Sequence, residues 1–182
     1  MSDETLVRHC SPTLAGMKAG NLFSENYPDH ETMVKDIRRI NQILVPHGLA
    51  LIPVKYRNGW TLLYLYRPKE LKKALSCSEA VQILEQIGYT ESGMNGKLAH
   101  LIRRLNEDES FPHEIGLFLS YPPEDVKGFI ENKAHDFKYV GFWKVYGDEQ
   151  KARDTFFRYH RCEDSYLKHL QHGATLEQLI LD

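Results

Sequence analysis

The stretch 111-FPHEIGLFLSYPPEDVKGF-129 decides the fold. Ile115 to Leu119 is apolar at almost every position, the pattern of a strand covered on both faces in a partly parallel sheet. Pro122, Pro123, Glu124 and Asp125 then read as the start of a helix through Ile130, the acids complementing its dipole. Beyond that helix, 138-KYVGFWKVYG-147 is a second strand-like run. Together they predict a β-α-β unit of about 35 residues with a right-handed parallel crossover.

The rest of the chain adds to this frame. From Asp29 as N-cap, Met33, Val34, Ile37, Ile40 and Leu44 recur at helical spacing, with Lys35, Asp36, Arg38 and Arg39 on the other face, until Pro46 and Gly48 stop the helix. GLALIPVKY and WTLLYLYR, separated by Arg57, Asn58 and Gly59, read as an antiparallel hairpin. A short helix led by Pro68 follows, then one from Ser78 with Val81, Leu84 and Ile87 inside. Leu98, Leu101, Ile102 and Leu105 mark another, whose outer face carries Lys97, His100, Arg103 and Arg104. That face reads as solvated surface, because Glu107, Asp108 and Glu109 follow at once and offset its charge. A long helix from Asp148 turns Ala152, Phe156, Tyr159, Cys162 or Glu163, and Tyr166 inward. Thr175 and Gln178 form a capping box for a final short helix. The expectation is one α/β domain over residues 1–182, with a mixed sheet of about four or five strands and helices packed against it.

Composition limits the function classes. A chain of 182 residues buries enough surface for one main core, and 42% hydrophobic with 26% charged residues is the balance of an ordinary globular protein. With 23 basic against 25 acidic residues there is no global field for nucleic acid or anionic lipid. The first residues, MSDETLVRHC, carry acids where a signal peptide needs basic residues, and no apolar run approaches the roughly 20 residues of a membrane span. Three scattered cysteines without a CxxC pattern suit reduced thiols and a cytoplasmic location.

No complete catalytic motif is present. Gly88, Gly93 and Gly96 precede Lys97, but Leu98 stands where a phosphate loop needs Ser or Thr. In HCSPTLAGMKAGNLF, a helix capped by Ser11 with Pro12 in its first turn would set Cys10 beside a positive helix end, with His9 adjacent and Lys18 nearby, a setting that lowers a thiol pKa. The plainer reading, a small buried Cys10, is favoured, because adjacent residues rarely face one pocket. His113 and Glu114 could supply acid-base chemistry or two metal ligands, yet neighbours on a strand point to opposite faces, which favours a structural role at the strand entrance. The ends of parallel strands place Ser120 and Tyr121 beside Tyr146, with Lys144 on the Tyr146 face, as a ligand-binding candidate. Among the nine histidines, His169 and His172 share a helical face but form no recognised ligand set, so no metal or cofactor is assigned.

HCSPTLAGMKAGNLF, YLYRP, FPHEIGLFLSYPPEDVKGFI and GFWKVYGD resemble a bacterial family of uncharacterised proteins, domain-of-unknown-function family 3793, from about His9 to Cys162. The resemblance brings no assigned reaction, ligand or catalytic residue. The expected function is a cytosolic, non-catalytic binding or accessory protein whose cleft takes a small ligand, a metal or a protein partner. The alternative is a thiol enzyme with Cys10 as nucleophile, His9 or His113 as base and Lys18 as electrostatic support.

Overall fold

The computed structural model describes residues 1–107 and 110–181; Asp108 and Glu109, two of the acids expected beside the basic helix face, lie outside the described residues. The chain is α/β and divides into two compact units, Met1–Glu70 with Tyr159–Asp182, and Leu71–Arg158.

In the first unit, Ser2 accepts a hydrogen bond from the Thr5 amide and opens α1 (Asp3–Leu14). Strand β1 (Gly20–Asn26) follows, then α2 (His30–Leu44), capped by Asp29 through the Thr32 amide at 2.7 Å. Strands β2 (Ala50–Arg57) and β3 (Trp60–Tyr66) form the expected hairpin. Asn58 and Gly59, at φ of +50° and +84°, adopt the left-handed conformation that a two-residue turn with matching twist requires. The sheet order is β1-β3-β2, antiparallel throughout. Thr61 to Tyr66 of the central strand are all buried, so the doubly covered apolar strand of this protein is TLLYLY. Leu63 and Leu65 meet Leu6, Val7, Cys10 and Leu14 of α1 and Met33, Ile37, Ile40 and Leu44 of α2 in the core. Directly after β3, buried Arg67 donates to the carbonyls of Thr13 and Leu14, each at 2.7 Å, and to that of Leu181. It thereby supplies the cation that the last turn of α1 lacks. Near the end of the chain, Thr175 and Gln178 exchange the two bonds of a capping box.

The chain enters the second unit through α3 (Pro68–Ala74), which is followed by α4 (Ser78–Gln86) and α5 (Gly93–Glu107). On α4 the buried face is Ala80, Ile83 and Leu84, one position round from the expected Val81 and Ile87, which are half-buried. The basic face of α5 is not simply solvated. Lys97 donates to the Leu75 carbonyl at 2.8 Å, His100 meets Glu91 at 2.8 Å, and Arg104 meets buried Glu114 at 2.6 Å.

The main departure from expectation lies at Ile115 to Leu119. It forms no strand; α6 (Ile115–Phe118) is a single buried helical turn closed by a bond of 3.1 Å from the Leu119 amide to the Ile115 carbonyl. A buried helical turn and a buried strand share the same uninterrupted apolar pattern, so periodicity cannot separate them. Composition leans toward the turn without deciding it: Ile115 is the single β-branched residue of the five, and Gly116 weakens a strand. The parallel crossover disappears with the strand. After α7 (Pro123–Glu131), the run KYVGFWKVYG folds back on itself as β4 (Tyr139–Val140) and β5 (Lys144–Val145), an antiparallel pair. Finally α8 (Glu149–Gln171) carries the chain back into the first unit. No helix among the described residues is long and apolar enough to cross a membrane.

Candidate functional site

A pocket of about 380 Å³ opens in the second unit, lined by residues between Phe111 and Lys144. Its shape follows from how α6, α7 and the β4–β5 ribbon are joined. Ser120, at φ +60°, reverses the chain after α6, and the Tyr121 amide returns to the Gly116 carbonyl at 2.8 Å. Gly116 permits this closure, since a Cβ there would stand 2.8 Å from Val126 Cγ2 and 3.0 Å from the Tyr121 ring. Pro122 and Pro123 then start α7, and Asp125 falls in its first turn.

Asp125 does more than complement the helix dipole. Buried at 3% exposure, its Oδ2 accepts from Trp143 Nε1 at 2.7 Å, and its Oδ1 accepts from the amides of Tyr146 and Gly147, both at 2.7 Å. The carboxylate therefore clamps the return strand and the turn after it onto α7. Close approach is possible because Gly128 has no side chain: a Cβ there would lie 2.4 Å from the Tyr146 ring. Trp143, fixed by Asp125, stacks on Tyr121 at 4.8 Å and meets Phe156 edge-on at 4.4 Å. The Tyr121 hydroxyl donates to the Phe142 carbonyl at 3.2 Å. These contacts make one wall of the pocket a rigid aromatic surface.

The polar groups at the pocket are few. Lys144 Nζ donates to the Ala134 carbonyl at 2.8 Å and lies 4.6 Å and 5.8 Å from the ring centres of Phe137 and Phe129. His113 is exposed and sits edge-on to the same Phe129 ring at 4.9 Å. Thus His113, Tyr121 and Lys144 come together around one cavity, through a helical turn and a ribbon and not through parallel strand ends. Glu114, Ser120 and Tyr146 do not line it. Glu114 is buried and takes bonds from Tyr89 at 2.9 Å and Arg104 at 2.6 Å, which is a structural anchor. Ser120 serves the turn, and the Tyr146 hydroxyl is buried without a hydrogen-bond partner among the described residues. Asp125, Phe129 and Trp143 were missed as site residues, because their convergence depends on a contact between a helix start and a strand about 20 positions later.

The proposed thiol site takes a different form. Ser11 and Pro12 are inside the last turns of α1 and not at its start, so no positive helix end faces Cys10. Cys10 is fully buried, and burial pushes its thiol well above the ordinary cysteine range, the reverse of activation. His9 stands on the outer face, stacked on Phe23 at 5.5 Å. Lys18 is buried beside the thiol, its ammonium 5.7 Å from the Tyr159 ring centre, and desolvation pushes its pKa down to about 8. No group of three or more His, Cys, Asp or Glu side chains suited to holding a metal occurs among the described residues.

Two measurements check these assignments. In a Trp60→Phe background, where Trp143 alone emits, Asp125→Ala should lower stability by about 3 kcal/mol and shift the emission to the red, since three donors lose their acceptor. Asp125→Asn should keep the two amide bonds and lose the indole bond. For Lys18, folded and unfolded chains are both charged below pH 8; between 8 and the ordinary 10.5 the folded protein releases the proton first. Stability should therefore rise with pH in that window, and wild type should gain about 3 kcal/mol on Lys18→Met across it. Urea unfolding at a series of pH values reads this, and a constant difference between the two proteins would refute the desolvation of Lys18.

No curated protein and no solved structure matches this chain. The family described as Protein of unknown function (DUF3793) matches residues 6–180. With nearly the whole chain covered, and the quoted motifs inside the matched span, the chain belongs to that family.

Proposed function

We propose that the protein is a non-catalytic binding protein whose ligand is a small, mainly apolar molecule held in the pocket between α6, α7 and the β4–β5 ribbon. The observation that carries this reading is the pairing of a concave aromatic cavity of about 380 Å³ with a carboxylate whose two oxygens already hold three donors. Ligand sites have this size and this excess of apolar lining with a few placed polar groups. Asp125, the acid at the pocket, has its oxygens committed to Trp143, Tyr146 and Gly147, which suits a scaffold better than a general base. Burial of Cys10, with its raised pKa, weighs against its use as a nucleophile. A reducing, cytosolic setting suits three unpaired cysteines.

The test uses a neutral apolar fluorophore, N-phenyl-1-naphthylamine. Wild type should bind it saturably at one site, with enhanced emission. Val140→Trp, which fills the mouth from an exposed strand position, should weaken binding about tenfold or more while leaving the circular dichroism and unfolding midpoint unchanged. Non-saturable binding, or equal binding by the filled variant, would remove the pocket as the site.

A further inference from the structure

Resting on the pocket reading above, we infer that the ligand is an anion: a flat aromatic carboxylate whose ring enters the aromatic cavity and whose carboxylate takes the ammonium of Lys144. An aromatic cavity by itself suits either a neutral molecule or a cation, since ring faces attract positive charge. Here the cation is already supplied by the protein. The Lys144 ammonium stands against Phe129, which lines the pocket, and against Phe137. A cationic ligand would meet a like charge in an apolar surrounding.

The ammonium is also held ready. The bond to the Ala134 carbonyl uses one of its three N–H groups and fixes its position, which among the described residues leaves two donors for an incoming oxygen. His113 flanks the same Phe129 ring and adds a second group able to donate to an anion. The segment between α7 and β4 carries Lys133 and Lys138 against Asp136, and Asp125, the acid that lines the pocket, has both oxygens turned onto three donors of its own chain. In a cavity with apolar walls a charge-assisted hydrogen bond is stronger than in water, so the head group contributes to both affinity and orientation.

Three probes of one shape separate the possibilities: naphthalene-2-carboxylate, naphthalene-2-carboxamide and the cation naphthalene-2-carboxamidinium, each titrated by calorimetry into the intact protein. The carboxylate should bind about tenfold or more tighter than the amide, the amidinium weakest of all, and added salt should erode the preference. Lys144→Met should reduce the carboxylate's advantage to about threefold or less, whereas Lys144→Arg should retain most of it. If Lys144→Met does not fold, the wild-type ratio and its salt dependence decide alone. Equal saturable binding of all three probes overturns the anion assignment and leaves the pocket standing. A preference that survives in a folded Lys144→Met overturns the role of Lys144. Failure of all three, with failure of the neutral fluorophore, removes the pocket itself.

Discussion

The Asp125 carboxylate is the contact on which the candidate site depends. Strands β4 and β5 are two residues each, far too short to hold together by their own ladder. Asp125 accepts two backbone amides from the turn after β5 and the indole N–H of Trp143, so one buried charge settles three donors that would otherwise lose their hydrogen bonds. The direction of Trp143 sets the stack with Tyr121 and Phe156, and the register of β5 sets where Lys144 emerges. The wall of the pocket is thus oriented from the first turn of α7.

The two units hold themselves in different ways. In the first, three strands and two amphipathic helices cover a shared apolar core, with Arg67 closing the carbonyl end of α1. The second is assembled from short helices and a minimal ribbon. There, buried acids act as fixed points: Glu114 receives Tyr89 and Arg104, and Asp125 receives the return strand. A fully satisfied buried polar group admits few alternative packings, which gives short elements a defined arrangement.

Features governed by neighbours in the chain were legible. Asn58-Gly59 specified a hairpin, Asp29 opened α2, and Thr175 with Gln178 formed the capping box, because each acts within about four residues. The Cys10 segment misled for the same local reason. Ser-Pro-Thr has the composition of a helix start, but Ser2 had already capped that helix and Pro12 falls near its end. At the pocket, Tyr121 and Lys144 were chosen as neighbours of parallel strand ends; both line the cavity, through a helical turn and an antiparallel ribbon instead.

By itself the sequence determined the helices with clear apolar stripes, the β2–β3 hairpin, the Asp29 cap, the Thr175–Gln178 capping box and the absence of any complete catalytic motif, since these follow from spacing and local backbone chemistry. Tertiary structure decided whether IGLFL is strand or helix, which way KYVGFWKVYG runs, and what Asp125, Glu114 and Lys144 do. A run that is apolar on every side has no periodicity to reveal its conformation. A buried charge reveals its role only through its partners, and those of Asp125 arrive from about 20 residues away once the chain has closed upon them.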